Sequence, residues 1–195
     1  MPRRNLILIA ACLVGLVILA GLAFRAGVFS QAPSGGPGGP FQLVDQTGKP
    51  VTDKVLKGKW SAVFFGYTYC PDVCPTTMAA MAQAQDRLGP KAKDLQVVFI
   101  TIDPERDTPA QLSKYLSNDA FPKGAIGLTG TPAQVDVAAK AYRVFYEKAG
   151  TGSDYLMNHS TPTYLMDPKG RFQRVLPYGI SPDEIARQIT DAMRG

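Results

Sequence analysis

The stretch WSAVFFGYTYCPDVCP at residues 60–75 joins an apolar run to a pair of cysteines. Its first eight residues are almost continuously apolar, a pattern typical of a central strand that is buried on both faces. Pro75 favours the first turn of a helix, so a helix is predicted over about residues 76–88. Cys70 and Cys74 are therefore expected just beyond the end of a central strand, where open α/β sheets bind their ligands.

The sequence on both sides of this stretch predicts an α/β fold. Further strands are predicted as a hairpin over residues 41–52, a buried strand over 95–102 and two strands over 163–167 and 172–176. Three more helices are predicted from a hydroxyl N-cap, a proline and a Gln or Glu, the capping-box pattern, at Thr108, Thr131 and Ser181. The last two helices are expected to reach about Phe145 and Met193. Strand and helix alternate first as in a parallel crossover, and the second half ends in an antiparallel hairpin and a helix.

Residues 1–25 have the features of a membrane anchor. Arg3 and Arg4 precede the uncharged, mostly apolar residues 6–24, and a helix needs roughly 20 such residues to cross a bilayer. The excess of arginine before the run places the N-terminus in the cytoplasm, so the rest of the chain is expected to be exported. A cleaved signal peptide and lipidation at Cys12 are the alternatives. An uncleaved single-pass anchor is preferred because the apolar run continues well past Cys12.

The segment after the anchor predicts a linker followed by one domain. Residues 31–40 read QAPSGGPGGP, which cannot form a core, so residues 26–40 are predicted to be a flexible linker and residues 41–195 the domain. Without Arg3, Arg4 and Arg25, the 21 basic residues fall to 18 against 16 acids. No basic stripe with interleaved aromatic residues is present, so nucleic acid is not an expected partner.

Cys70, Cys74 and His159, the only histidine in the chain, are the candidate site residues. Two thiols and one imidazole suit copper in either oxidation state. The same thiols could close a disulfide, because a Cys-x-x-x-Cys loop allows the required Cα separation. The exported part contains no other cysteine, and it is long enough to form a core without a bridge. The pair is therefore expected to have a functional role.

The positions of Cys74 and His159 in the chain predict the pKa of the thiol and the approach of the histidine. Cys74 is expected near the N-terminus of the predicted helix, where backbone amides and the helix dipole lower the pKa of a thiol. His159 lies in a predicted loop that leads into the strand at residues 163–167. If that strand neighbours the strand at residues 60–67, the loop could approach the thiols.

Two acids and two methionines are further candidates around the cysteines. Asp103 ends the second buried strand and could reach the cysteine loop, while Asp72 lies between the cysteines. Both are predicted to orient ligands without binding the metal themselves. Residues 103–109 otherwise have the pattern of a loop that caps a helix. Met78 and Met81 could bind copper through sulfur, but their helical spacing favours packing in the core.

Three segments together resemble the Sco/SenC family of copper-binding assembly proteins for cytochrome c oxidase: residues 65–75, residues 101–109, and His159-Ser160 with residues 164–170. The resemblance covers nearly all of the exported part. It implies a thioredoxin-like fold with insertions, in which Cys70, Cys74 and His159 bind copper. It also implies a periplasmic domain on an inner-membrane anchor, with the dinuclear copper A centre of cytochrome c oxidase subunit II as the recipient of the copper.

The resemblance leaves two activities open. A metallochaperone would carry Cu(I) or Cu(II) to subunit II and could exchange it with another periplasmic copper carrier. A thiol–disulfide reductase would use Cys70 and Cys74 as a redox pair that keeps the copper A cysteines reduced, with a periplasmic thiol reductase as its partner. Delivery of copper is the preferred interpretation.

Two positions depart from the pattern that is common in the family. Asn158 stands where an aspartate often precedes the ligand histidine, so no charge is present there. Pro162 resembles the cis-proline that faces the dithiol in thioredoxins, although many family members lack a proline at this position. This second departure favours redox activity.

Overall fold

Nine strands and four α-helices lie in residues 35–194, which the computed structural model describes. The strands are β1 Gln42–Asp45, β2 Pro50–Thr52, β3 Trp60–Gly66, β4 Leu95–Thr101, β5 Ile126–Thr129, β6 Tyr146–Ala149, β7 Leu156–His159, β8 Thr163–Met166 and β9 Phe172–Leu176. The α-helices are α1 Val73–Leu88, α2 Pro109–Leu116, α3 Pro132–Ala141 and α4 Pro182–Arg194. Two short 3-10 helices, Asp53–Leu56 and Gly89–Asp94, connect β2 to β3 and α1 to β4.

Seven of the strands form a mixed sheet in the order β2-β1-β5-β4-β3-β8-β9. At its centre β3 and β4 pair in parallel through the crossover helix α1. On its other side β3 pairs antiparallel with β8, with Phe64 opposite Thr163. The end of β3, where the cysteine loop starts, therefore lies beside the start of β8. This pairing confirms the neighbour relation on which the approach of His159 to the thiols depends.

The apolar sequence of β3 reflects burial on both faces of the sheet. Residues 61–66 are all buried, and successive side chains point to opposite faces. Phe64 packs against Phe99 with 6.0 Å between ring centroids, while Phe65 packs against Tyr142 at 5.2 Å. The nearly continuous apolar run thus predicted the central position of this strand.

The predicted helix starts are confirmed at all three capping sites. The hydroxyls of Thr108 and Ser181 each accept a hydrogen bond of 3.2 Å from the backbone N–H three residues on. Thr131 and Gln134 form a reciprocal capping box, in which each side chain accepts from the backbone N–H of the other residue. These local signals are reliable because both partners lie within one helical turn.

Three features differ from the prediction. Helix α1 begins at Val73, three residues earlier than predicted, because Pro75 is also accommodated as the third residue of the first turn. Helix α3 ends at Ala141 instead of near Phe145, and Arg143 just beyond it has a left-handed backbone with a φ of 59°. Strand β5 and the antiparallel β6–β7 ribbon are absent from the prediction. Strands β6 and β7 have no fully buried residue and so no alternating apolar pattern.

The predicted membrane anchor at residues 1–25 and most of the predicted linker lie outside the described residues. The described end of the linker contacts the domain. The Gly38 N–H donates to the Ala141 carbonyl at 2.9 Å, and Arg143 Nη2 donates to the Gly35 carbonyl at 3.1 Å. Residues 35–40 therefore pack on the domain, although a flexible linker is predicted there. Within residues 35–194, no helix has both the length and the apolar composition that spanning a membrane requires.

Candidate metal centre

The cysteine pair lies where β3 leads into α1. Cys70 is half-buried, whereas Cys74, the second residue of α1, is fully buried. The backbone N–H of Cys74 donates a hydrogen bond of 3.4 Å to Cys70 Sγ, and both thiols are free. Gly66 makes room for this arrangement, because a Cβ at that position would lie 2.8 Å from Cys74 Sγ. Any side chain at position 66 would displace the sulfur.

His159 meets the cysteine pair at the end of the β6–β7 ribbon. It is the last residue of β7, paired with Tyr146, and not part of a loop as predicted. Its Nε2 lies 3.8 Å from Cys74 Sγ. Its Nδ1 lies 2.8 Å from the Ser160 carbonyl oxygen, which can only accept a hydrogen bond. Nδ1 therefore carries the proton, and Nε2 presents its lone pair to the thiol.

The three candidate ligands are neighbours without being arranged around one point. Within residues 35–194, no three side chains of His, Cys, Asp or Glu are gathered closely enough to hold a metal ion as they stand. Cys74 Sγ faces His159, while Cys70 Sγ accepts a hydrogen bond from the Cys74 backbone N–H. Binding one ion with all three would therefore require side-chain rotation in the cysteine loop. The donor set itself, two sulfurs and one imidazole nitrogen, fits copper.

The two thiols have opposite pKa shifts. The Cys74 thiol donates a hydrogen bond to Cys70 and holds the pKa of Cys70 well below the usual range, although burial works against this shift. The backbone N–H groups of Asp72 and Cys74 lower the pKa of Cys70 further. The pKa of Cys74 is raised by that same hydrogen bond and by burial. The lowered pKa that the sequence predicted for Cys74 is therefore found at Cys70 instead. Because α1 starts at Val73, Cys74 lies in the core, where burial contributes to its raised pKa.

This asymmetry predicts the order of chemical modification. Iodoacetamide is expected to modify Cys70 before Cys74 in the reduced protein, at a rate that changes little between about pH 8 and about pH 6. An ordinary thiol slows about tenfold for each pH unit below its pKa, but a lowered pKa keeps Cys70 ionised as the pH falls. In Cys74→Ala, which removes the main hydrogen bond, the rate should become pH-dependent. Mass spectrometry of timed samples measures both rates, and an ordinary pH dependence in the wild type would contradict the assignment.

Asp107 fastens the cysteine loop to the central sheet. This fully buried carboxylate accepts hydrogen bonds from the Thr68 hydroxyl at 2.6 Å, the Thr68 backbone N–H at 3.0 Å and the Thr101 hydroxyl at 2.6 Å. Burial raises the pKa of Asp107, and these three donors work against the rise. Thr68 lies two residues before Cys70. Asp107 therefore positions the start of the cysteine loop.

Asp103 lies on the histidine side of the site. Its carboxylate accepts hydrogen bonds from the Tyr155 hydroxyl at 2.6 Å and from Arg106 Nε at 2.5 Å. Arg106 Nη1 in turn donates to the Tyr155 carbonyl at 2.9 Å. Tyr155 directly precedes β7, the strand that ends at His159. The sequence predicted that Asp103 could reach the cysteine loop. In the structure, Asp107 makes that contact, through its hydrogen bonds to Thr68.

The remaining candidates contact the site less directly. Asp72 is the N-cap of α1, but its exposed carboxylate makes no capping bond and accepts a hydrogen bond from the Thr76 hydroxyl at 3.2 Å. Its contribution to the site is the backbone N–H near Cys70 described above. Met78 and Met81 are buried in the core, as their helical spacing predicted.

The two positions that depart from the family pattern lie on either side of His159. Asn158 Nδ2 donates to Glu147 Oε1 at 3.3 Å on the exposed face of the ribbon. The peptide bond before Pro162 is trans, as are all peptide bonds of residues 35–194. The predicted likeness of this proline to the cis-proline of thioredoxins is therefore wrong.

Comparisons with known proteins match this same domain. The SCO1/SenC family model matches residues 31–194. The chain belongs to the SCO1/SenC family. Over 153 residues it is 44% identical to Protein SenC of Rhodobacter capsulatus, a match that covers 78% of this chain and 68% of that protein. The chain spans less of its mitochondrial relatives, with 43% of SCO1 homolog 1 of Arabidopsis thaliana and 53% of the SCO1 homolog of Homo sapiens.

Solved SCO1/SenC structures share the fold. Arabidopsis thaliana ScoI with copper bound matches with a TM-score of 0.76 at 40% identity, over 80% of this chain and 98% of that one. Bradyrhizobium japonicum ScoI with copper bound matches with a TM-score of 0.73 at 44% identity, over 80% of this chain and 99% of that one. The prediction of an α/β, thioredoxin-like fold is confirmed for the described domain, which begins with the predicted hairpin of β1 and β2.

Proposed function

We propose that this SCO1/SenC protein binds copper through Cys70, Cys74 and His159 and acts in the assembly of cytochrome c oxidase. The observation that carries the proposal is the distance of 3.8 Å between His159 Nε2 and Cys74 Sγ, beside the half-buried, free Cys70 thiol. The copper-bound Arabidopsis and Bradyrhizobium relatives support copper as the metal. The more specific proposal is that the protein delivers this copper to the copper A centre of subunit II.

The three side chains would play different parts in holding and releasing copper. Cys74 is fully buried and would be the inner ligand, whereas Cys70 is half-buried and open to an incoming partner. The Ser160 carbonyl holds the His159 ring through Nδ1, which leaves Nε2 for the metal. Thiolates favour Cu(I), and imidazole suits both oxidation states. A thiolate of the partner could therefore displace Cys70 first, and copper would leave stepwise without unfolding of the domain.

The proposed location is the periplasmic side of the inner membrane. The apolar run at residues 6–24, with Arg3 and Arg4 before it and Arg25 after it, supports a single-pass anchor with its N-terminus in the cytoplasm. The Gly- and Pro-rich residues that follow the run support a short reach from the membrane. Subunit II would then be a partner in the same membrane.

A second candidate function is reduction of the copper A cysteines, which the opposite pKa shifts of the two thiols favour. The Cys70 thiolate would attack a disulfide of subunit II and release one thiolate. The Cys74 thiol would then lose its proton, attack the mixed disulfide and release the second thiolate. Two electrons pass to subunit II and a Cys70–Cys74 disulfide remains. A periplasmic thiol reductase would have to restore the dithiol.

Copper transfer tests the primary proposal. The full chain in detergent, reduced and loaded with one equivalent of copper, is mixed with a metal-free, reduced copper A domain of subunit II. Two equivalents of the loaded chain are used per copper A domain, because the centre is dinuclear, and its formation is followed by the absorption spectrum after oxidation with ferricyanide. We expect the wild type and the control Asn158→Ala, which changes an exposed neighbour of the histidine, to form the centre. His159→Ala should lose its copper to a chelator before transfer, because one of three ligands is missing.

The same assay separates the two candidate functions. A wild-type protein that retains no copper would contradict the copper proposal. Tight binding without transfer to the copper A domain would leave copper binding standing and reject subunit II as the recipient. The metal-free dithiol is also tested against an oxidised copper A domain. Reduction at equal rates by the wild type and His159→Ala would support the reductase, since that reaction uses only the two cysteines.

A further inference from the structure

The turn formed by residues 103–107 contacts both halves of the candidate metal centre. On one side, Asp107 accepts two hydrogen bonds from Thr68 at the start of the cysteine loop. On the other side, Asp103 and Arg106 bond Tyr155, which leads into the strand that carries His159. The cysteine loop and the strand that carries His159 are far apart in sequence, and this turn contacts both of them. Its role goes beyond the helix-capping loop that its sequence suggests.

Arg106 makes the closest links within this turn. Its Nε donates to Asp103 Oδ2 at 2.5 Å, and its Nη1 donates to the carbonyls of Tyr155 at 2.9 Å and Ser153 at 3.3 Å. The guanidinium carbon lies 3.6 Å from the centroid of the Tyr155 ring and 4.7 Å from that of the Tyr69 ring. Tyr69 immediately precedes Cys70. The guanidinium therefore contacts both the cysteine loop and the residue that precedes the start of β7.

The β6–β7 ribbon depends on such side-chain links for its position. Its strands pair with each other and with no strand of the main sheet in residues 35–194. Near His159, Ser160 and Phe145 exchange hydrogen bonds at the base of the ribbon. Along the ribbon, Tyr146 and Met157 pack against the core. At the end away from His159, Arg106 contacts Tyr155, and an exposed ion pair between Lys148 and Glu105 at 3.7 Å adds a weak contact.

We propose that Arg106 is a positioning residue that sets the distance between the cysteine pair and His159. It stacks on Tyr69 beside Cys70 and holds Tyr155 four residues before His159, so loss of the guanidinium frees both halves. The planar guanidinium is required, because an ammonium group can neither form the hydrogen-bond fork nor stack on two rings. The consequence for copper rests on the proposed function, whereas the position of the ribbon can be measured without metal.

Two measurements on Arg106→Gln and Arg106→Lys test this role. Amide hydrogen exchange is measured on the metal-free, reduced full chain, and copper dissociation is measured after loading, with a chelator in excess. We expect both variants to exchange the β7 amides, and to release copper, about tenfold faster than the wild type, as loss of a charge-assisted contact implies. The control is Arg171→Gln, which breaks another Arg–Asp pair, with Asp167 at 2.7 Å, and should leave both rates unchanged.

Tyr69→Ala is a second variant that removes only the cysteine-side ring, at an exposed position that does not threaten folding. It should release copper faster while the β7 amides exchange as in the wild type. Wild-type rates of copper release in Arg106→Gln would overturn the proposal, and full recovery in Arg106→Lys would overturn the requirement for a planar group. If the wild type itself binds no copper, the proposed function fails. The exchange rates of the β7 amides then decide separately whether Arg106 holds the ribbon.

Discussion

Replacing Cys74 with alanine is expected to abolish tight copper binding. The change removes the proposed ligand that is buried and faces His159, and it also removes the thiol that lowers the pKa of Cys70. The affinity should therefore fall by far more than the roughly 10–100-fold that follows loss of a group that only orients a ligand. Competition against a Cu(I) chelator, with the full chain reduced throughout, measures the change.

The matched control for this experiment is Thr76→Ala, an exposed residue in the same turn of α1. It should bind copper as the wild type does. Retention of one copper by Cys74→Ala at the wild-type affinity would exclude Cys74 from the site and, with it, the proposed set of three ligands. An intermediate loss, of the size that the Arg106 variants are expected to show, would reduce Cys74 to an orienting role.

Replacing Asp107 with alanine is expected to lower the free energy of unfolding by about 3 kcal/mol. Three hydrogen bonds are lost. A buried donor without a partner, as the Thr101 hydroxyl would become, costs roughly 1–3 kcal/mol, the part-buried Thr68 donors add less, and removal of a buried charge offsets part of the loss. Urea unfolding of the metal-free, reduced protein measures the difference. Asp72→Ala, which changes the exposed carboxylate of the cysteine loop, should stay within about 0.5 kcal/mol of the wild type.

The pH dependence of that difference follows from the raised pKa of Asp107. A carboxyl group with a pKa higher in the folded than in the unfolded state binds its proton more readily when folded. Its contribution to stability therefore grows as the pH falls through the folded-state pKa and is lost as the pH rises through it. The gap between the wild type and Asp107→Ala should widen on acidification. A gap that narrows instead would show that ionised Asp107 is the form the fold favours.

Much of the candidate site could be predicted because its residues are chemically distinctive. A chain with two cysteines beyond residue 25 and a single histidine offers few choices of soft ligand. The residues that support these ligands could not be found in the same way. Asp107 and Arg106 stand in a charged segment that reads as a solvated, helix-capping loop, and their contacts are with Thr68 and Tyr155, which are 39 and 49 residues away in sequence.

In the fold, too, the features with a local sequence signal could be predicted and the others could not. The central strand, the capped helices and the hairpins were predicted because burial on both faces, N-caps and turn residues leave local patterns in the chain. The β6–β7 ribbon was missed because its strands are short and mostly exposed or half-buried, which gives no periodic apolar signal. The placement of His159 at the end of β7 was missed for the same reason.

The available chemical groups, and the position of the cysteines after a central strand, can be read from local segments of the chain. The meeting of His159 with Cys74 cannot, since those residues lie 85 positions apart and meet through the pairing of β3 with β8. The tertiary packing also lowers the pKa of Cys70 and raises that of Cys74. This difference depends on which sulfur receives the hydrogen bonds and which is buried, and both follow from the packing of α1 against the sheet.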